Sequence, residues 1–189
     1  GIDTSTEMPA RLRKVLGEQA NIEVIIVDRR AEIGASMGAE ISRSIAEACE
    51  ELVVKWRLKS SVVAVDEDGV TLDDGQRIEA KTVVWTTGVR ANSLTSQIPG
   101  QQDALGRLHV DSNMAVIGQR DIYATGDVAY AATDDIGNHA LMTCQHAIVM
   151  GRHAGNNVAA EILGVDPIAY RQPKYVTCLD LGQWGAVYT

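Results

Sequence analysis

The sequence predicts an α/β fold, with strands of a parallel sheet, a three-stranded antiparallel meander, and a long C-terminal helix followed by strands. Three observations predict it. Near-helical apolar spacing over Asp3–Leu16 runs into the β-branched run Val24-Ile25-Ile26-Val27. Between residues 61 and 85 the apolar period changes to two, with Asp68-Gly69 and Asp74-Gly75 as hairpin turns. The longest helical pattern, His139–Leu163, is closed by Gly164 and Pro167.

In chain order, Ile2, Met8, Leu12, Val15 and Leu16 give the first helix an apolar face, with Glu7, Arg11 and Lys14 between them. Pro9 lies past the first turn and predicts a kink or a later start; Gly17 is the stop. Glu23–Asp28 fits a strand buried on both faces of a parallel sheet. A second helix is expected over Glu40–Val53, with Ile41, Ile45, Ala48, Cys49 and Leu52 on one face and Ser42 or Ser44 at its start. The meander is Ser61–Val65, Val70–Leu72 and Gln76–Ile78, feeding into a strand Thr82–Trp85 that ends near Thr86. Residues 90–102 read as loop, Arg107–Val110 and Asp121–Ala124 as short strands, and Ile136–Asn138 as loop. The tail reads as two strands, Tyr175–Leu181 and Trp184–Tyr188, around Gly182.

Composition narrows the function. The 189 residues fit one to two domains by the ~150-residue rule. With 46% hydrophobic residues the chain can bury a core, and with no Phe that core is aliphatic with help from three Trp. A net charge of −8 excludes nucleic acid and anionic membrane surfaces as partners, since both need clustered Lys and Arg. No apolar run reaches the ~18–20 residues of a membrane span, and the N-terminus has no signal-peptide pattern. Cys49, Cys144 and Cys178 form no C-x-x-C or C-x4-C pair, so neither a dithiol redox pair nor a zinc knuckle is legible. They are expected to be reduced, buried, cytosolic thiols.

Four pieces carry chemistry. First, Gly1 opens a helix, and Asp28 closes the strand after it. In a dinucleotide-binding βαβ unit a glycine lets the backbone approach the pyrophosphate, and an acidic residue after the second strand takes the adenosine ribose. Asp28 favours the free 2′-hydroxyl of NAD, while Arg29 or Arg30 can pair with the 2′-phosphate of NADP, so the two signals conflict. Solvated charges at a strand end account for them equally well. Second, Val83-Val84-Trp85-Thr86-Thr87-Gly88 is a strand ending in small residues that permit close approach; the plain alternative is a strand-to-loop exit.

Third, Asp121–Thr125 runs into Gly126-Asp127, which projects a carboxylate where open α/β sheets bind ligands; alone, it equally fits an Asx turn. Fourth, Cys144-Gln145-His146-Ala147 stands at a candidate helix start, where free N–H groups can face an electron-rich ring oxygen. His139, His146 and His153 share about one helical face by their spacing of seven. No i, i+4 ligand pair supports a metal there, and none is expected.

In this order the four pieces resemble the two-dinucleotide-binding flavoproteins of the pyridine nucleotide–disulfide oxidoreductase superfamily, most closely the type II NADH dehydrogenases. Gly1-Ile2-Asp3 looks like the end of the family's glycine motif with its acidic residue. Thr86-Thr87-Gly88 matches the A/T-T-G crossover, Thr125-Gly126-Asp127 the flavin-binding G-D motif, and Cys144–Ala147 the A-Q-x-A segment. The resemblance implies partial Rossmann-like FAD/NAD(P)-binding sheets. It implies FAD and NAD(P)H as cofactors, with hydride passing from NAD(P)H to flavin and on to a small-molecule electron acceptor, often a quinone. It places Asp3 near the nicotinamide–flavin contact and Asp28 on the adenosine ribose. Asp127 falls on the FAD ribityl and phosphate region, and the backbone around Gln145 and His146 against the isoalloxazine ring. The family's second quinone-motif Gln is Val149 here, and Val cannot hydrogen-bond a quinone carbonyl.

The same resemblance divides the chain into residues 1–88 for the nicotinamide nucleotide, 89–163 for the returning FAD segment, and 164–189 as the start of a C-terminal domain. With no complete G-x-G-x-x-G loop and Gly at position 1, the chain is expected to be a piece cut at both ends and inactive by itself. The expected location is cytoplasmic, with the full-length parent peripheral at the inner face of the membrane. Two rival readings stand beside this one. A non-catalytic α/β module could self-associate into a homo-oligomer through unpaired sheet edges. A disulfide reductase would need a Cys pair that these residues do not contain.

Overall fold

The computed structural model describes all residues, 1–189. The chain is α/β and forms two compact units. One is Gly1–Thr87 with Val176–Thr189, and the other is Gly88–Tyr175.

The first unit begins with helix α1, Ile2–Leu16, which runs through Pro9 and stops at Gly17. Pro9 is buried and its missing N–H frees the Ser5 carbonyl, yet the helix neither starts later nor breaks. Strand β1 (Val24–Val27) pairs in parallel with β2 (Val54–Arg57), joined by helix α2 (Ala39–Glu51) as a βαβ crossover. Two expectations change here. β1 is half-buried rather than fully buried, and α2 ends two residues early because Val53 takes a left-handed φ of 60° that turns the chain into β2. The core beneath is Ile33, Ile45, Ala48, Cys49 and Val54, closed by Leu179 and Leu181 of the tail.

The meander forms as read: β3 (Val62–Asp66), β4 (Gly69–Leu72) and β5 (Arg77–Glu79) pair antiparallel in that order. Gly69 is required, since a Cβ there would lie 2.1 Å from the Ile78 carbonyl oxygen. The strand expected at Thr82–Trp85 does not form. Those residues are irregular and pair with no strand, and Val84 and Trp85 are exposed. A strand needs a hydrogen-bonded neighbour, and none lies beside them. The tail hairpin, β8 (Cys178–Asp180) with β9 (Ala186–Tyr188), packs on α1 in this same unit, where Thr6 Oγ1 lies within hydrogen-bonding distance of the Asp180 carbonyl.

The second unit holds a short parallel pair, β6 (Leu108–His109) with β7 (Ala129–Tyr130), and helix α3 (Cys144–Leu163). Asp121–Ala124 contributes only an isolated bridge at Tyr123. Met114, Val116, Ala124, Ala129, Ala131, Met150 and Ala154 form its core. The expected start of the long helix at His139 is corrected to Cys144, because His139 is bridged to Ala132 in extended backbone. Gly164, left-handed at φ 66°, ends the helix as expected.

Candidate functional site

In the first unit the residues of the first two pieces meet. Gly1 caps α1, and a Cβ placed on it would stand 2.8 Å from Thr86 Oγ1. The glycine is thus where a side chain would collide with the Thr86-Thr87-Gly88 segment. Thr87 and Gly88 are exposed, and Gly88 holds φ 109°, a conformation that favours glycine. Asp3 lies in the first turn of α1. Its carboxyl is pushed above the usual carboxylate range by loss of solvent; the charge of Asp180 adds to this, and a backbone hydrogen bond from Asp180 opposes it. Asp28 follows β1, and its Oδ1 accepts the Arg30 N–H at 2.8 Å. Arg30, rather than Arg29, lies 3.7 Å from its other oxygen.

In the second unit a turn at Gly126–Val128 seats against the start of α3. Gly126 is left-handed at φ 68°, and a Cβ on it would touch the Ala147 Cβ at 3.5 Å. Thr125 Oγ1 stands 3.6 Å from the place of a Gly151 Cβ. Asp127 is exposed beside this contact, and Gln145 is exposed in the first turn of α3. Thr143 caps that turn, its Oγ1 accepting the His146 N–H at 3.5 Å.

His146 is 2% exposed and stacks on Tyr175 with ring centroids 4.9 Å apart. Burial pushes its imidazole below the ordinary value, which favours the uncharged ring. Val149 packs against the core of this unit. His139 lies before α3, so the three histidines do not share one helical face, while His146 and His153 both stand on α3. His139 stacks on Tyr130, His146 on Tyr175, and His153 meets the edge of Tyr170. Thr143 and Tyr175 were not singled out from the sequence. The Thr-x-x-His pattern is a readable cap signal, whereas nothing local links Tyr175 to His146.

The cysteine expectation is corrected. Cys49 is buried, but Cys144 and Cys178 are exposed, Cys144 because it opens α3 on its solvent side.

These arrangements fit the groups they were expected to hold. A flavin chain needs a carboxylate beside a tight backbone turn next to a helix start, and Asp127, Gly126 and the Thr143-capped turn supply them. A dinucleotide needs a glycine at a helix start and an acidic strand end, and Gly1 and Asp28 supply those.

The model of the family described as pyridine nucleotide-disulphide oxidoreductase matches residues 3–151. An NADH dehydrogenase-like protein of Mycobacterium tuberculosis is 44% identical over 192 residues, covering 100% of this chain and 48% of that protein. A type II NADH:quinone oxidoreductase of Staphylococcus saprophyticus is 24% identical over 159 residues, covering 82% of this chain and 39% of that protein. Among solved structures, a ferredoxin reductase from Rhodopseudomonas palustris aligns with a TM-score of 0.72 at 22% identity, over 93% of this chain and 42% of that one. That likeness shows the fold. The chain spans about half the length, or less, of these curated relatives.

Proposed function

Because this chain belongs to the pyridine nucleotide-disulphide oxidoreductase family, we propose that it serves an FAD-dependent NAD(P)H oxidoreductase of the NADH dehydrogenase-like kind. The first unit holds the nicotinamide nucleotide and the second holds the returning contacts to FAD. Bound FAD supplies hydride acceptance from NAD(P)H and electron delivery to an acceptor. The observation that carries this reading is the seat of the Gly126 turn on Ala147, which sets the Asp127 carboxylate beside the start of α3.

Each residue then has a role. Asp127 accepts hydrogen bonds from the ribityl hydroxyls. The first turn of α3, at Gln145 and His146, turns its positive end toward the electron-rich edge of the ring. The His146–Tyr175 stack and the Thr143 cap hold that turn in place. Gly1 leaves room for the pyrophosphate, and Thr87 and Gly88 line the crossover without bulk. Asp28 binds toward the adenosine ribose. Asp3, at the opening of α1, stands toward the nicotinamide.

The name of the Staphylococcus relative supports a quinone as the acceptor. Val149, packed against the core, offers such a carbonyl no hydrogen bond. No helix of the chain is long and apolar enough to cross a membrane.

The test is spectroscopic. Protein made from its complete reading frame should carry flavin, and its absorbance should bleach anaerobically on addition of NADH or NADPH. Protein that takes up no flavin, or flavin that neither nucleotide reduces, overturns the reading.

One observation favours a second reading. Val84 and Trp85 are 58% and 59% exposed on an unpaired segment, which leaves backbone groups free to pair with another chain. A concentration-independent monomer on size exclusion would count against self-association.

A further inference from the structure

We propose that Asp180, on the tail hairpin, is a positioning residue that sets how Asp3 recognises the nicotinamide ring. Ionised Asp3 attracts the cationic ring of the oxidised nucleotide, protonated Asp3 does not, and Asp180 decides at which acidity one gives way to the other. This rests on the reading that Asp3 stands toward the nicotinamide, and it extends that reading to a residue far along the chain.

The hairpin is fixed on α1 by its backbone. Thr6 is 1% exposed, and its Oγ1 lies 3.1 Å from the carbonyls of Ile2 and Asp3 and 3.4 Å from that of Asp180. A Cβ on Gly182 would stand 2.7 Å from the Thr6 carbonyl oxygen, so the turn after Asp180 can sit this close only as glycine. Leu179 and Leu181 are buried in the first core, which leaves Asp180 exposed between them, against the first turn of α1. Asp180 Oδ1 accepts the Gly182 N–H at 2.9 Å, which holds its carboxylate in place. Its backbone N–H donates to the Asp3 carboxylate. One residue thus gives Asp3 a hydrogen bond through its main chain and a like charge through its side chain.

Loss of solvent raises the Asp3 carboxyl above its ordinary value and the Asp180 carboxylate adds to this, against the Asp180 N–H and the Gly1 amino group. The charges acting on Asp3 are those of Gly1 and Asp180. Further along α1, Glu7 is paired with Arg11 at 2.7 Å. Of the other elements packed on α1, β1 and the turn Gly182–Trp184 carry no charge, and β2 carries Lys55, paired with Glu23, and Arg57. Asp180 is therefore the charge whose removal most directly shifts the balance at Asp3. A cationic ring beside a carboxylate gains a Coulomb attraction that a neutral carboxyl does not give.

The test measures by calorimetry the affinity of NAD+ relative to ADP-ribose, which lacks the nicotinamide ring, for protein made from its complete reading frame. NADP+ and 2′-phospho-ADP-ribose take their place if only the phosphorylated nucleotide binds. In the wild type the ratio should fall about tenfold as the pH is lowered from neutral and Asp3 takes up its proton, the loss of one charge-assisted contact. Asp180→Asn keeps an oxygen for the Gly182 N–H and the backbone N–H to Asp3 but removes the like charge, so its fall should come at a lower pH. Asp180→Glu should return the fall toward the wild-type pH, and Asp3→Asn should abolish it. A ratio that does not change with pH, or a midpoint that is the same in wild type and Asp180→Asn, overturns the proposal while the dinucleotide reading stands. If neither the nucleotide nor its ADP-ribose counterpart binds, both fall together.

Discussion

Gly126 meets Ala147 so closely that a Cβ on the glycine would lie 3.5 Å from the alanine's, in ordinary contact with nothing between them. The backbone at Gly126 is also left-handed, φ 68°. Valine there costs about 1–2 kcal/mol in backbone strain, and a β-branched side chain suits this region least. Gly126→Val should lower the melting temperature by several degrees and weaken flavin retention, while Gly126→Asn, which tolerates this conformation, should stay closer to wild type. Thermal melts and flavin-to-protein absorbance ratios check both. A Gly126→Val protein with wild-type values on both would show that the turn is not constrained as described.

Thr143 has two partners at the start of α3. Its Oγ1 takes the His146 N–H and lies 3.2 Å from His146 Nδ1. Thr143→Ala removes both and should cost about 1 kcal/mol, the usual value of a cap. Thr143→Ser should restore it. Chemical denaturation with an unchanged slope is the measurement.

The parts of the fold legible in the sequence were those with local causes. The meander follows from alternation and two Asp-Gly turns, and it forms as β3, β4 and β5. The chemistry-bearing pieces were readable as residue types. Their meetings were not, because no spacing rule places Gly1 against Thr86, Gly126 against Ala147 or Tyr175 against His146. Strand β2 was missed because it is four residues long with charges at Lys55 and Arg57, directly after a helix. The expectation at Thr82–Trp85 failed for the opposite reason. Its apolar content favours a strand, but a strand is a pair property and the partner is not there.

The second unit contains a pair that should govern its acid sensitivity. Arg107 and Asp103 side chains are 11% and 15% exposed and joined at 2.7 Å, with Arg107 also donating to the Ala140 carbonyl and lying 4.7 Å from the Tyr130 ring centre. Burial alone pushes the Asp103 carboxyl up. The backbone N–H of Arg107, its guanidinium and the Leu105 N–H outweigh that and hold it below the usual value. A carboxyl lowered on folding stabilises above its unfolded value, and that contribution is lost as pH falls toward the folded one. Stability should therefore drop below about pH 4. Arg107→Ala should cost about 3 kcal/mol at pH 7 by stranding the carboxylate, and Arg107→Ala with Asp103→Asn should recover part of it. Melts of the three proteins across pH 3–7 give the answer, and a pH-independent single-variant deficit would contradict it.

The cysteines separate by burial. Cys49 is fully buried, which pushes its thiol up to about 11. Cys144 and Cys178 are exposed. A thiol-reactive reagent followed by mass spectrometry at pH 7.5 should label Cys144 and Cys178 quickly, and Cys49 only after denaturant is added. Native labelling of Cys49 at a comparable rate would mean that α2 does not seal the first core.

The assignment of the Gly126-Asp127 turn to flavin is tested most directly by the dissociation constant of FAD for protein made from its complete reading frame, wild type against Asp127→Ala. The carboxylate beside the start of α3 predicts tight binding in the wild type and a loss of at least about tenfold in the variant, with the melting temperature of the flavin-free proteins unchanged. Equal FAD affinity in the two proteins would contradict it.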